Sequence, residues 1–249
     1  MTDPTSVPHT QRALPRGAHG LSRQVVEDSQ RGRVLDAMTQ AVAERGYLSL
    51  TVADVVLRAG VSRKTFYTYF ADRQACFLAA YEEGMRSMRS EMTQAISTSA
   101  DQDVVARLRV SVRSYLTFLA ERPALARTFL LEVLAAGPEA LERKARADEE
   151  YAALTQRWHL TARRAHPSFL PVPDAVYTAV VGAAHALVRD HVRRGQCSSL
   201  PELEPMLMYI HLSMLAPGES AERELLGATE LATLLCLDPL PPQDPSSPS

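Results

Sequence analysis

Apolar residues recur every three or four positions along most of the chain, and alternation with a period of two is almost absent. A period of about 3.6 residues is that of an amphipathic α-helix, so the chain is predicted to be all-α. Glycine and proline separate the periodic segments, as is typical of helix ends. The predicted helices cover residues 30–45, 51–59, 62–70, 72–88, 103–121, 124–136, 138–166, 173–195, 202–215 and 219–236.

The two ends of the chain lack this period. Residues 1–28 are rich in Pro, Gly, Ser, Thr and Arg, and residues 238–249 are rich in Pro and Ser. Segments of this composition bury too little apolar surface to fold alone. A flexible amino-terminal arm and a disordered carboxy-terminal tail are therefore predicted.

Side chains suited to capping stand at the start of two predicted helices. Thr51 and Asp54 have the spacing of a capping box, in which each side chain accepts a hydrogen bond from the other residue's backbone N–H. Ser199 and Glu202 have the same spacing and predict the start of the ninth helix. Gly60 follows the second helix, where a residue able to adopt a positive φ is favoured.

The segment TVADVVLRAGVSRKTFYTYF, residues 51–70, holds two short helices separated by a tight turn at Ala59 and Gly60. This is the helix-turn-helix arrangement, whose second helix enters the major groove of DNA. Its aromatic residues suit a core, a ligand site or a polyanion contact, and their spacing predicts that Phe66 and Phe70 face the core. The outer faces then carry hydroxyl and basic side chains, which suit phosphates and base edges. They are Ser62, Arg63, Lys64, Tyr67, Thr68 and Tyr69.

Charge is distributed unevenly along the chain. Residues 1–80 contain ten Lys and Arg against seven Asp and Glu, whereas the remaining residues contain 17 against 22. A basic amino-terminal third on an acidic body favours a polyanion partner for that third. Arg31 and Arg33, at the beginning of the first helix, are predicted to reach a groove or the phosphates, as arginine-bearing arms do.

Residues 30–80 resemble the DNA-binding signature of the tetracycline-repressor (TetR) family of bacterial transcription regulators. The residues that carry the resemblance are Thr51, the turn Ala59-Gly60-Val61-Ser62, Thr65-Phe66-Tyr67, Tyr69-Phe70 and the basic Arg73, where the family more often has Lys. The resemblance implies contacts at or near the bases by Arg63, Lys64, Thr68 and Tyr69. It also implies phosphate contacts by Thr51, Tyr67, Tyr69 and Arg73.

The same resemblance implies an organisation for the whole chain. Residues 29–75 would form a three-helix DNA-binding domain, and residues 76–237 would form a larger helical domain for ligand binding and dimerisation. The implied partners are double-stranded DNA with a palindromic operator, a second copy of the chain and an unknown small-molecule effector.

Two of the later helices have faces suited to a dimer interface. Small residues spaced three and four apart in the eighth helix would let another helix approach closely, and the ninth helix carries a stripe of larger apolar residues. Two such helices from each subunit would form a four-helix interface, although the same faces would also suit packing within one chain. The residues are Ala179, Gly182, Ala183 and Ala186, followed by Leu203, Leu207, Ile210 and Met214.

Aromatic residues and one histidine in the carboxy-terminal part suit an apolar ligand pocket with a few polar points. Aromatic stripes at helical spacing are also typical of a plain core, so the residues alone leave both interpretations open. The candidates for ligand binding are Tyr115, Phe118, Phe129, Tyr151, Trp158, Tyr177 and His185.

Catalytic and metal-binding patterns are absent from the sequence. It has no HExxH, GxSxG, P-loop or GxGxxG motif, and its three cysteines are widely spaced, without a CxxC pair. The carboxylates of residues 148–150 predict a solvated helix face. Apolar runs stay far below the roughly 20 residues of a membrane span. We therefore expect a cytoplasmic protein that is not an enzyme and uses no metal or cofactor.

Together these features predict a bacterial transcription regulator, a ligand-responsive homodimeric repressor that binds a palindromic operator. The alternative is a helical small-molecule-binding or interaction protein whose helix-turn-helix no longer reads DNA. Binding to duplex DNA separates the two, because a regulator must prefer one sequence and lose affinity steeply as salt rises.

Overall fold

The computed structural model describes residues 23–99, 102–166 and 169–216. Across these residues the chain consists of α-helices, two 3-10 segments and loops, without a strand, and the all-α prediction is confirmed. In this part of the chain no helix combines the length and the apolar character needed to span a membrane. The α-helices are α1 (Arg23–Arg45), α2 (Val52–Ala59), α3 (Arg63–Tyr69), α4 (Arg73–Ser97), α5 (Val104–Glu121), α6 (Pro123–Leu130), α7 (Pro138–Ala165), α8 (Asp174–Arg193) and α9 (Glu204–Leu215). The 3-10 segments are Glu132–Ala135 and Cys197–Leu203.

Several helix boundaries differ from those that the periodicity predicts, and α4 extends to Ser97 rather than ending at residue 88. α1 begins at Arg23 rather than near Gln30, so part of the arm predicted over residues 1–28 is helical. α6 ends at Leu130, and a 3-10 segment follows where the pattern predicts continued α-helix. The remainder of the arm, the helix predicted over 219–236 and the tail predicted over 238–249 lie outside the described residues.

The capping box predicted for the ninth helix is wrong. Ser199 lies inside a 3-10 segment, where its hydroxyl donates to the carbonyl of Gln196 over 3.1 Å. α9 begins later, at Glu204, and has Pro205 in its first turn. Proline lacks a backbone N–H and suits that turn, because the donor there would have no partner within the helix. The start of α9 therefore follows the proline rather than the serine.

The chain divides into two compact units between Glu83 and Gly84. The amino-terminal unit contains α1, α2, α3 and the first part of α4, and the carboxy-terminal unit contains the rest of α4 together with α5 to α9. α4 runs through this division and also through the domain boundary predicted after residue 75. A loop therefore marks neither position.

Apolar side chains from all of its helices form the core of the amino-terminal unit. The buried residues include Val34, Met38, Val42, Leu50, Val55, Phe66 and Phe77. Two ion pairs, Arg45 with Asp54 and Arg58 with Glu44, also join α1 to α2. Exposed ion pairs contribute little to stability, so the buried side chains hold this unit together.

Glycine allows a close approach of α4 and α6 within the carboxy-terminal unit. A Cβ added to Gly84 would lie 2.6 Å from a ring carbon of Phe129 and 2.9 Å from a methyl carbon of Leu125. These separations are well below the usual 3.5–4.0 Å contact distance of carbon atoms. Only glycine therefore leaves room for the aromatic ring against the backbone of α4.

A buried carboxylate links the start of α9 to α5. Glu204 accepts hydrogen bonds from Arg109 over 3.0 Å and from Nε of Arg113 over 2.5 Å. Burial alone would raise the pKa of Glu204, but the hydrogen bonds from Arg113 and Arg109 outweigh it and leave the pKa below its usual value. A buried carboxylate persists in charged form only when it is paired in this way.

Two histidines of the carboxy-terminal unit are completely buried. His211 Nδ1 lies 2.7 Å from the carbonyl oxygen of Leu207, and His159 Nδ1 lies 2.9 Å from the hydroxyl of Tyr177. Burial lowers the pKa of both side chains, because a charged imidazolium would lose its hydration. Both imidazoles are therefore neutral in the folded protein at neutral pH.

We expect the free energy of unfolding to fall as the pH drops below about 6.5, the pKa of histidine in an unfolded chain. In that range the unfolded chain binds protons that His211 and His159 in the folded chain do not bind. Stability is therefore complete above that pH and declines by at most about 1.4 kcal/mol per pH unit for each histidine. Urea unfolding at pH 7.5, 6.5 and 5.5 measures this slope.

A pair of variants assigns that slope to its source. His211→Gln should reduce the dependence of the unfolding free energy on pH, because it removes one of the two groups. His191→Gln is the control, since His191 is only half-buried on α8. An unaltered slope in His211→Gln would contradict the assignment.

Candidate nucleic-acid interface

The start of α2 is fixed by the capping box that the sequence predicts. The N–H of Asp54 donates to the Thr51 hydroxyl over 3.3 Å, and the N–H of Thr51 donates to the Asp54 carboxylate over 2.9 Å. Hydrogen bonds from Thr51 lower the pKa of Asp54, which keeps the carboxylate charged. Thr51 itself is exposed, so its hydroxyl lies at a helix N-terminus, where backbone N–H groups attract anions.

The turn between α2 and α3 depends on a left-handed residue. Gly60 has φ 64° and ψ 37°, a conformation that costs glycine little. Its N–H donates to the carbonyl of Leu57 over 3.3 Å, and the N–H of Val61 donates to Val56 over 3.2 Å. Ser62 then caps the start of α3, and its hydroxyl accepts the N–H of Thr65 over 3.0 Å. These bonds set the angle at which α3 leaves the turn.

Buried aromatic side chains hold α3 against the core of the amino-terminal unit. Phe66 is completely buried and Phe70 is 5 % exposed, with their ring centroids 5.6 Å apart. The prediction that both phenylalanines face the core is confirmed. Tyr67 meets the edge of Phe66 but remains 56 % exposed. The helix therefore has one buried face, and its neighbouring residues are left for solvent or a partner.

One exposed face of α3, including its cap Ser62, collects half of the predicted DNA-contacting residues. Its members are Ser62, Arg63, Lys64, Tyr67 and Thr68. Positions one turn apart, such as Lys64 and Thr68, lie side by side, and the Thr68 hydroxyl donates to the Lys64 carbonyl over 3.0 Å. Within residues 23–99, 102–166 and 169–216, no carboxylate pairs with Arg63 or Lys64. In the described part of the chain, two cations without a carboxylate partner thus stand beside hydroxyl groups, as a phosphate-binding or base-reading surface requires.

Tyr69 departs from its predicted place on the outer face. Its side chain is half-buried, and its hydroxyl donates to the amide oxygen of Gln30 over 3.2 Å. It lies three positions after Phe66 and one before Phe70, on the side of α3 that turns toward α1. That contact joins the end of α3 to α1, and a base contact would require the hydroxyl to leave Gln30.

Three arginines predicted to contact DNA have partners within the amino-terminal unit. The guanidinium of Arg31 lies over the ring of Phe70 at 5.8 Å, and Arg33 donates to the carbonyl of Ala59 over 3.3 Å. Arg73 donates through Nη1 to the carbonyls of Tyr47 and Leu50. Each of the three is half-buried. Their roles as groove or phosphate contacts stay predictions. The interactions within the amino-terminal unit do not favour them, because they already engage the three guanidinium groups.

The residues predicted to bind a ligand fall into separate places in the carboxy-terminal unit. Tyr115, Tyr151 and His185 form one cluster, with ring centroids 6.2–6.3 Å apart. Trp158 and Tyr177 belong to a second cluster, which also contains His159 and Phe169. Phe118 lies beneath the guanidinium of Arg122, and Phe129 lies against Gly84.

The first of these clusters has polar neighbours that the sequence analysis missed. His185 Nδ1 lies 3.2 Å from the Asp148 carboxylate, whose other oxygen is 2.5 Å from Lys144 Nζ. Burial opposes the charged form of Asp148, but hydrogen bonds to His185 and Lys144 outweigh it and lower the pKa. The prediction of a solvated face is therefore wrong for Asp148. The four-residue spacing of Lys144 and Asp148 was the signal for this pair.

The two halves of the predicted dimer interface differ in their exposure to solvent. On α8, Ala179, Gly182 and Ala186 are exposed and Ala183 is half-buried. A Cβ at Gly182 would meet nothing within 4 Å, so this face is open. Leu203 and Leu207 are buried inside the carboxy-terminal unit, so the prediction that they contact a partner is wrong.

The partly exposed side of α9 lies elsewhere on that helix. It includes Ile210 and Met214 from the predicted stripe, together with Met206, Tyr209 and Ser213. The apolar periodicity of α9 is nearly continuous around the helix, so the sequence offered no signal to separate its two faces. Packing against α5 and α8 decides which side is covered.

Comparisons with known proteins identify the family of the amino-terminal unit. Residues 34–80 match the family model described as bacterial regulatory proteins, tetR family. The chain is 28 % identical over 105 residues to the HTH-type transcriptional activator FasR of Mycolicibacterium smegmatis, over 42 % of this chain and 47 % of that protein. The chain therefore matches about half the length of this relative.

Solved structures of similar fold cover most of the chain. The fatty acid degradation regulator FadR from Bacillus halodurans has a TM-score of 0.65 at 20 % identity, over 75 % of this chain and 94 % of that one. FadR from Bacillus subtilis, in complex with stearoyl-CoA, also has a TM-score of 0.65, at 17 % identity, over 76 % of this chain and 99 % of that one. At these identities the likeness establishes a shared fold.

Proposed function

Because this chain carries the DNA-binding domain of the tetR family of bacterial regulatory proteins, we propose that it is a ligand-responsive repressor that binds a palindromic operator as a homodimer. The observation that carries the proposal is the exposed face of α3. There Arg63, Lys64, Tyr67 and Thr68 stand together above the buried Phe66, and the two cations have no carboxylate partner in the described chain. Thr51 supports the same surface from the exposed start of α2.

Dimerisation follows from the need to read two half-sites. Helix-turn-helix dimers place their recognition helices in successive major grooves, about 34–36 Å apart. The open face of small residues on α8 and the partly exposed apolar side of α9 suit a two-fold interface of four helices. The interface would consist of Ala179, Gly182, Ala183 and Ala186 with Ile210 and Met214.

The effector is proposed to bind within the carboxy-terminal unit. The cluster of Tyr115, Tyr151 and His185 offers aromatic surface beside the polar groups of Asp148 and Lys144. Because a structure of the same fold holds stearoyl-CoA, long-chain acyl-CoA is the first ligand class to test. Trp158, the single tryptophan of the chain, lies on α7 with Tyr151, so its fluorescence is the signal to follow as this ligand is added.

Binding to duplex DNA tests the proposal directly. Operator duplexes are first selected from a random library, and affinity is then measured by fluorescence anisotropy between 50 and 200 mM salt. We expect one preferred palindrome, and affinity that falls about 10³-fold or more across this range if at least six phosphates are contacted. Adding stearoyl-CoA at constant salt then shows whether this ligand releases the DNA.

Lys64→Ala tests the assignment of the reading surface. We expect this variant to change the preferred base at one position of each half-site, because Lys64 lies on the exposed face of α3. Arg146→Ala removes an exposed positive charge from α7 and serves as the control. Uniformly weaker binding with unchanged preference would make Lys64 a phosphate contact.

The alternative function predicts a different result in the same assay. A helical ligand-binding or interaction protein whose helix-turn-helix no longer reads DNA would show no sequence preference. Absence of DNA binding even at 50 mM salt would favour this alternative. This holds whether or not the fluorescence of Trp158 changes when a ligand is added.

A further inference from the structure

Both ends of α2 are held by arginine side chains through backbone carbonyl oxygens. We propose that Arg73 and Arg33 are positioning residues, which fix α2 and thereby the exposed start at Thr51 and the direction of α3, and that neither contacts DNA. The proposal deepens the proposed function, because it concerns how the same DNA-binding surface is presented.

Arg73 holds the segment that leads into α2. It is the first residue of α4, and its Nη1 donates to the carbonyl of Tyr47 over 3.2 Å and to that of Leu50. Leu50 immediately precedes Thr51, the residue that caps α2. One guanidinium nitrogen therefore bridges two carbonyl groups of the loop that leads into the capped start of α2.

A stack of rings keeps the Arg73 guanidinium in place. Its central carbon lies 4.4 Å from the ring centroid of Tyr47, which is buried and meets the edge of Phe77 at 4.8 Å. Arginine stacks flat on an aromatic ring and presents its donors in a rigid plane, whereas lysine does neither. The site therefore requires the shape of arginine as well as its charge.

Arg33 holds the opposite end of α2. Its Nη1 donates over 3.3 Å to the carbonyl of Ala59, the last residue of the helix. The final carbonyl groups of a helix have no partner within it and carry partial negative charge, so a guanidinium is favoured there. Gly60 follows at once with φ 64°, and the contact thus secures the turn that aims α3.

The contrast with α3 supports this division of roles. Arg63 and Lys64 are exposed and without carboxylate partners in the described chain, whereas Arg33 and Arg73 are half-buried and already hydrogen-bonded. Moving either guanidinium to a phosphate would break its hydrogen bonds to these backbone carbonyls, which costs free energy. Contact with DNA is therefore assigned to the former pair and positioning to the latter.

Substitution by lysine separates the two roles, because a phosphate contact needs charge and a positioning contact needs the guanidinium. We expect Arg73→Lys and Arg33→Lys each to weaken binding to the selected operator about tenfold, while the slope of affinity against salt stays that of the wild type. In the free protein, hydrogen–deuterium exchange of peptides covering residues 47–60 should become faster in both variants. Arg63→Lys, which makes the same change at an exposed site, should leave that exchange unchanged.

Two results would overturn the proposal. One is that Arg73→Lys binds the operator with wild-type affinity while Arg73→Ala reduces the slope of log affinity against log salt concentration by about 0.9. A reduction of that size is what the removal of one phosphate contact requires. The other is unchanged exchange of residues 47–60 in both lysine variants. The exchange measurement needs no DNA, so it tests positioning even if the wild-type protein binds no duplex. Absence of duplex binding by the wild type would refute the proposed function and not the positioning roles.

Discussion

Phe66→Ala is expected to lower the stability of the amino-terminal unit by about 3–5 kcal/mol, the usual cost of removing a fully buried phenylalanine side chain. Phe66 is the one completely buried residue of α3, and it touches Phe70 and the edge of Tyr67. A helix of this length is unstable alone in water, so α3 depends on this anchor. The variant should therefore lose sequence-specific DNA binding together with the local structure.

Tyr67→Ala, one residue further on, is the matched control. Tyr67 is 56 % exposed, so its removal leaves the core filled and should change stability by less than about 1 kcal/mol. Binding to every duplex should weaken alike if Tyr67 contacts phosphates. Chemical denaturation and anisotropy on the same samples separate the two effects. A stable, DNA-binding Phe66→Ala variant would show that α3 does not rest on this side chain.

Gly182→Arg is expected to abolish dimerisation while leaving the carboxy-terminal unit folded. Nothing lies within 4 Å of a Cβ at Gly182, and arginine favours a helix over glycine by about 0.8 kcal/mol, so the single chain tolerates the change. In a tightly packed helix interface the same side chain would bury an unpaired charge. That costs about 3 kcal/mol or more, which raises the dissociation constant about 100-fold or more.

Analytical ultracentrifugation of the wild type, Gly182→Arg and Gly182→Ala tests this expectation. The alanine variant controls for the loss of glycine, because a methyl group adds little bulk and no charge. Operator affinity should fall with the dimer, since a single subunit reads one half-site. A dimeric Gly182→Arg protein with full operator affinity would remove α8 from the interface.

Features that depend on near neighbours in the chain were predictable. The helical period, the Thr51–Asp54 capping box and the inward placement of Phe66 and Phe70 all agree with the structure. Each depends on residues at most four positions apart, whose relative geometry is set once the backbone is helical. The exposed face of α3 follows from the same spacing.

The capping box predicted at Ser199 is a local feature that failed, but the other failed residue assignments concern contacts between distant elements. Leu203 and Leu207 share a helical stripe with Ile210, but packing against other helices buries them within the unit. Asp148 lies in a run of carboxylates, but His185 of α8 lies beside it. Neither neighbour could be read from the local pattern.

By itself, therefore, the sequence determined that this protein is all-α, where its helix-turn-helix lies and which aromatic side chains anchor it. Only the tertiary structure decided which basic residues are free for a partner. Arg33 and Arg73 look like DNA contacts in the sequence, yet their guanidinium groups hold carbonyl oxygens 26 residues away in the chain. The physical reason is the length of the arginine side chain, whose charged end binds the acceptors that the fold brings near it.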